Sequence, residues 1–198
     1  MNCDRCKKPE AVCVCDRAIA QAVRTQIAIL QHPQEQDVIL GTVPLLETTV
    51  GAVRKIGLSW PNLAAVVGDS PGRWAVAWPL SLPHQPAPGR TGVTAVDRRG
   101  EPVALGYAGV LLLDGTWSQA KTLWWRNPWL VRLDRILVHP REPSIYGKVR
   151  REPRREMVST LETAAEILTA NGEDPAIAAH LRSLMRTLVQ RARDNRTA

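Results

Sequence analysis

The chain has 198 residues, enough for one domain with a sizeable core. Its formal net charge is +7, from 26 Lys and Arg against 19 Asp and Glu, and an isoelectric point near 9.7 points to a polyanionic partner. No apolar run approaches the roughly 20 residues that span a bilayer, and Met1 to Lys8 holds no apolar signal-like stretch, so a cytoplasmic, reducing location is expected and a membrane partner is not.

Cys3, Cys6, Cys13 and Cys15 come first, with the spacing C-x2-C-x6-C-x-C. Four thiols this close suit a tetrahedral zinc site in a reducing compartment. An iron–sulfur cluster uses the same ligands, and two disulfides suit the compartment poorly. Four protein ligands leave no open coordination position, so the expected role of zinc is structural. It would fold a segment too short to hold a core by itself. The expected organisation is thus a four-cysteine zinc-binding segment over 1–20 and a main domain over 21–198.

Thr25 to Leu30 predicts the first strand, and Gln31-His32-Pro33-Gln34-Glu35 follows at its end. Residues 41–52 predict a helix interrupted by Gly41, Pro44 and Gly51. The apolar runs Leu63 to Val67 and Trp74 to Trp78 predict two more strands, with a turn cluster from Gly68 to Gly72 between them. Pro79 to Gly92 is irregular, with four prolines and two glycines. A stretch of that length in a compact domain is usually functional or mobile. Strands are expected to resume near Val103.

Val110 to Leu113 is a continuous apolar run, as in a strand of a parallel sheet buried on both faces. It stops at Asp114-Gly115, and Thr116 or Ser118 can cap a helix that runs to about Arg126, before Pro128. Asp114, Thr116 and Trp117 therefore fall at the carboxyl end of a central strand, where open α/β sheets bind ligands. The same residues also fit a plain strand–turn–helix in which Asp114 caps amides and Trp117 packs the core. Ile136 to Val138 predicts a short strand closed by His139-Pro140. Between Arg141 and Arg155 lie six basic residues, Arg141, Lys148, Arg150, Arg151, Arg154 and Arg155, against Glu142 and Glu152. Such a loop neutralises phosphates with a steep salt dependence. Ser159 with Glu162 three residues on forms a capping box for a helix over 160–169. The last helix, Pro175 to about Arg193, is amphipathic. Of the seven tryptophans, each is read as core, although one or two of such a set suit stacking on an unpaired base.

Asp-x-Thr-Trp at 114–117, followed by Ser-Thr-Leu-Glu-x-Ala at 159–164, resembles the DTW-domain family, the tRNA-uridine aminocarboxypropyltransferases. The four cysteines and Gln31-His32-Pro33 extend the resemblance over nearly the whole chain. It implies an α/β, SPOUT-like fold: a mostly parallel sheet flanked by helices, with three loops at the strand ends forming a knotted pocket. It also implies S-adenosylmethionine as co-substrate and tRNA as partner. The 3-amino-3-carboxypropyl group would move to N3 of a uridine, leaving methylthioadenosine.

Mapped by motif, the cofactor side would draw on Pro79 and Leu80, on Leu113, Asp114, Gly115 and Thr116, on Leu137, Val138 and Tyr146, and on Val158, Ser159, Thr160 and Glu162. Asp114, with Thr116 and Trp117, is the catalytic expectation. Asp114 would take or position the N3 proton, or pair with the donor's ammonium while water or Glu162 serves as base. His32, Lys121, Lys148, Arg150, Arg151, Arg154 and Arg155 are expected to meet RNA, with Lys148 and Arg150 reaching phosphates or the aminoacyl carboxylate. Two other readings fit parts of the chain: a SPOUT-type RNA methyltransferase, and a zinc-containing RNA-binding protein without catalysis. The second leaves the joint occurrence of the two motifs without a reason. The number of subunits stays open.

Overall fold

A computed structural model describes residues 1–77, 92–140, 142–147 and 158–195. Its elements run in the order β1 (Gln26–Gln31), α1 (Val43–Val50), β2 (Val53–Ile56), α2 (Ala64–Val67), β3 (Trp74–Ala77), β4 (Gly92–Val96), β5 (Pro102–Val103), β6 (Gly109–Asp114), α3 (Trp117–Arg126), β7 (Asp134–His139), α4 (Thr160–Ala170) and α5 (Pro175–Asp194). Short 3-10 turns cover Pro33–Glu35 and Pro128–Arg132. No helix among the described residues is long and apolar enough to cross a membrane.

The strands form one sheet in the order β2-β1-β6-β3-β7-β4-β5. From β2 to β7 neighbours run parallel, while β4 is antiparallel to β7 and β5 to β4. β6 lies between β1 and β3, and Val110, Leu111 and Leu112 are at most 1% exposed. Both faces of this strand are covered, which is why its sequence is apolar without alternation. The pleat sends Ile27, Ile29, Val110 and Leu112 into the larger core with α1, α4 and α5. Ala28, Leu30 and Leu111 face the other way, against Leu123 and Trp124 of α3 and Leu130.

Three features depart from the expectations. Residues 63–67 do not make a strand; Ala64–Val67 is the helical turn α2, started by Asn62, whose Oδ1 accepts from Ala65 N at 2.9 Å. Five apolar residues in a row do not distinguish the two conformations, and a local side-chain cap decides between them. β2, Val-Arg-Lys-Ile, carries no strand signature because it is an edge: Val53 and Ile56 are 41% and 40% exposed, and charges occupy its middle. Strand structure is also present from Gly92, well ahead of Val103.

Two local fits fix the frame around the sheet ends. A side chain at Gly109 would collide with the Trp74 ring on the neighbouring strand, so glycine is required where the indole crosses β6. Asn127 is fully buried; its Nδ2 donates to Leu58 O and Leu123 O at 3.0 and 2.7 Å, and its Oδ1 accepts from Trp60 N at 2.8 Å. The start of the chain packs against the main core through Val12 and Val14. Arg191 of α5 donates to Cys13 O and pairs with Asp16 at 3.1 Å, and Asn195 Nδ2 donates to Ala11 O at 3.2 Å.

Candidate active site

β1 and β6 pair in register along their whole length, which sets Gln31 beside Asp114 at their shared carboxyl end. Asp114 is 9% exposed. Its Oδ1 accepts from Thr160 Oγ1 at 2.5 Å and its Oδ2 from Gln31 Nε2 at 2.8 Å. Thr160 begins α4, so the two motifs that stand apart in sequence meet at this carboxylate. The line continues: Gln31 Oε1 accepts from Arg54 Nη1 at 3.4 Å, and Arg54 Nε pairs with Glu47 Oε1 at 3.0 Å. Burial pushes the Glu47 carboxyl above its ordinary range, opposed by the Arg54 charge. A buried carboxylate is costly unless donors reach its oxygens. At Asp114, donors from two different segments supply them and hold its orientation.

The turn after Asp114 is tight. A side chain at Gly115 would stand 2.7 Å from Gln119 Cβ and 3.5 Å from His32 Cβ. Thr116 caps α3 through a capping box: its Oγ1 accepts from Gln119 N at 3.4 Å, and Gln119 Oε1 accepts from Thr116 N at 2.5 Å. Gln119 Nε2 also donates to Gln34 Oε1 at 3.1 Å. His32 donates its backbone N–H to Asp114 O at 2.9 Å, and its Nδ1 accepts from Gln34 N at 3.3 Å. Trp117 is half-buried, with Lys121 Nζ 5.4 Å from its ring centroid.

Ser159 caps α4: its Oγ accepts from Glu162 N at 3.1 Å. Glu162 Oε2 accepts from Ser159 N and Ser144 Oγ, and its Oε1 from Ile145 N, each at 2.8 Å. This carboxylate is occupied in holding the 144–147 turn onto the start of α4. Tyr146 is 2% exposed and donates its hydroxyl to Leu40 O at 2.7 Å, a strut inside the core. Leu113, Val138 and Val158 are half-buried and Leu137 is buried. Pro79, Leu80, Lys148, Arg150, Arg151, Arg154 and Arg155 lie outside the described residues. The contacts of Gln31 and Arg54 with the carboxylate line are not read from the sequence; the available signal is an amide at the end of an otherwise apolar strand.

The sulfurs of Cys3, Cys6, Cys13 and Cys15 all lie within 4.8 Å of one another, and none forms a disulfide. A tetrahedral ion about 2.3 Å from each thiolate sets the sulfurs about 3.8 Å apart, so this donor set could hold a metal ion. Backbone N–H groups of Cys6 and Arg5 bring the Cys3 thiol down to about 6, whereas burial pushes Cys13 and Cys15 up. Beside the cluster Lys8 is 5% exposed and donates to Ile39 O at 2.6 Å and Val38 O at 3.3 Å. Burial lowers its ammonium to about 8, against the pull of the nearby sulfurs and Asp114. A cleft of about 290 Å³ opens here, lined by Lys7, Lys8, Glu35 and Asp37 and by Gln31 of the Asp114 line.

A mostly parallel sheet flanked by helices, with a donor-locked carboxylate at its carboxyl edge and a thiol cluster packed alongside, makes this an α/β protein, a class whose open sheets bind ligands at that edge. The DTW domain family matches residues 1–193, and the chain belongs to that family. It is 31% identical over 205 residues to a Drosophila melanogaster protein named tRNA-uridine aminocarboxypropyltransferase 2, covering 98% of this chain and 76% of that one. Proteins of the same name from Mus musculus and Macaca fascicularis are 30% and 28% identical over 184 and 190 residues, each match covering 85% of this chain and 55% of the relative. The chain thus spans about half the length of the mouse and macaque proteins. No solved structure matches it.

Proposed function

We propose that the protein transfers the 3-amino-3-carboxypropyl group of S-adenosylmethionine to N3 of a uridine in tRNA, in the cytoplasm. The reaction class comes from the relatives' names. The observation that carries it to this chain is the Thr160 Oγ1–Asp114 Oδ1 contact at 2.5 Å, which joins both motifs in one site. S-adenosylmethionine supplies an electrophilic carbon on a sulfonium: the N3–carbon bond forms as the carbon–sulfur bond breaks, sulfur keeps the electron pair, and methylthioadenosine leaves.

The chain's own residues then divide the work. Each Asp114 oxygen keeps a lone pair after its one hydrogen bond, and we assign Asp114 the N3 proton, to accept or to position. Thr160 and Gln31 hold it in place. The side chains assigned to that pocket suit a sulfonium nucleoside: half-buried Leu113, Val138 and Val158, with buried Leu137, offer apolar surface for adenine, and Gly115, Thr116, Ser159 and Thr160 adjoin it in this reading. Pro79 and Leu80 complete that pocket in this reading. Glu162 and Tyr146 secure the adjoining 144–147 turn. Thr116 and Trp117 flank the acceptor, and His32, Lys121, Lys148, Arg150, Arg151, Arg154 and Arg155 meet the RNA. The fold is SPOUT-like and knotted in this reading; the insertion of β6 between the earlier strands β1 and β3 supports it. Cys3, Cys6, Cys13 and Cys15 hold a structural zinc in a segment over 1–20, and residues 21–198 form the transferase domain.

The test is incubation of the protein with an unmodified tRNA transcript and S-adenosylmethionine, read by mass spectrometry of nucleosides and of the spent donor. An aminocarboxypropyl mass on uridine together with methylthioadenosine is expected. A methyl mass with S-adenosylhomocysteine makes the protein a methyltransferase, and RNA binding without either product removes the enzyme reading. Asp114→Asn is expected to bind the donor and lose turnover. Loss of donor binding instead makes Asp114 a clamp for the ammonium.

A further inference from the structure

Trp124 and Trp125 are neighbours in α3 with opposite fates: Trp124 is 7% exposed and Trp125 is 76% exposed. Successive helical residues point 100° apart, so one indole enters the core and the other stands in solvent. Trp125 is the only exposed tryptophan among the described residues. Trp117, Lys121 and Trp125 follow at spacings of four, which puts them on one side of α3. They extend along about 12 Å of its axis. Lys121 Nζ already lies over the Trp117 ring at 5.4 Å.

The segment that carries α3 has one sign of charge along the chain. No acidic residue occurs between Asp114 and Asp134 in the sequence, while Lys121, Arg126 and Arg132 are all exposed. An open indole among cations is suited to stacking on a base while the cations meet phosphates. The ridge is also continuous with the site, because α3 starts three residues after Asp114.

We propose that the Trp117–Lys121–Trp125 side of α3, with Arg126, is a stacking ledge for an unpaired nucleotide near the target uridine. Trp125 takes the base and Lys121 and Arg126 take the flanking phosphates. This rests on the RNA substrate proposed above, and adds the requirement that the RNA be single-stranded where it crosses α3.

The test uses the full chain and three labelled probes: octauridine, a 12-base-pair RNA duplex and an unmodified tRNA transcript. Fluorescence anisotropy gives affinity at several salt concentrations, and sedimentation gives the mass of the protein. Trp125→Ala is expected to weaken octauridine and tRNA binding roughly 5- to 150-fold, the range for losing one base–aromatic stack. Duplex affinity and the salt slope stay as in the native protein, and Trp125→Tyr restores most of the loss. Replacing Lys121 and Arg126 by Ala together lowers the salt slope by about 1.4, the contribution of two phosphates on a single strand. Unchanged octauridine affinity in Trp125→Ala overturns the ledge, as does an equal loss on the duplex. A native oligomer that Trp125→Ala dissociates, with RNA affinity intact, makes the ridge a protein contact instead. Product formation on tRNA with no Trp125 dependence of binding removes the ledge alone. Trp125-dependent octauridine binding with no transfer removes the proposed reaction alone.

Discussion

Replacing Glu162 by Ala tests whether this carboxylate is a strut or a base. Three donors converge on it: Ser159 N, Ser144 Oγ and Ile145 N, each at 2.8 Å. Ser159 is 5% exposed, so its N–H finds no water when the acceptor goes, at a cost of about 1–3 kcal/mol. Ser144 and Ile145 are half-buried and rehydrate in part, so together they add about 1–2 kcal/mol. A total loss near 3 kcal/mol lowers the melting temperature by about 6–12 °C for a chain of this length. Glu162→Gln keeps one acceptor and turns an amide NH2 toward the remaining donor, so about half that loss is expected. Scanning calorimetry reads both. A Glu162→Ala protein melting within about 2 °C of the native one, less than the smallest shift such a loss produces, refutes the strut. Native melting of Glu162→Gln with transfer abolished gives Glu162 the proton instead of Asp114.

Gln31→Leu strips Asp114 Oδ2 of its donor and Arg54 of an acceptor, so stability falls by about 1–3 kcal/mol and single-turnover transfer slows more than donor binding weakens; full transfer by this variant discards the positioning role. Stripping the metal with a chelator under reducing conditions is expected to release one equivalent of zinc and to lower the melting temperature, with Cys15→Ser reproducing the effect; elemental analysis showing no metal in the reduced protein rejects the site. Tyr107 donates its hydroxyl to Asp134 Oδ2 at 3.1 Å, and burial, then the Asp134 carboxylate, push its phenol up to about 12. The folded chain thus keeps a proton that the unfolded chain gives up near 10. The stability it adds is complete below about pH 10 and is lost as pH rises toward about 12. Alkaline unfolding of Tyr107→Phe should lack this component, and identical pH profiles count against it.

Much of the frame was legible in the residues. Ser159 and Glu162 form the capping box that their spacing announces, because a cap needs only four consecutive residues. Val110 to Leu113 reads as a buried strand because its covered faces demand apolar side chains throughout. Edge strand β2 was hidden by Arg54 and Lys55, and residues 63–67 read as a strand although Asn62 turns them into a helix. The tryptophans show the limit most clearly: Trp124 and Trp125 are identical in composition, and only their angular position on α3 separates core from surface.

The sequence by itself determined the local devices: four thiols within one short segment, two helix caps, a glycine after Asp114, and an excess of positive charge. These depend on residues a few positions apart, where the backbone leaves little choice. Tertiary structure alone decided what the caps are next to. The in-register pairing of β1 with β6 brings Gln31 to Asp114, and the packing of α4 over the sheet brings Thr160 to the other oxygen. Contacts across 46 and 83 residues follow from strand order and burial, which no local pattern encodes, because many chain paths satisfy the same periodicity and the packing of the central strands β1 and β6 selects among them.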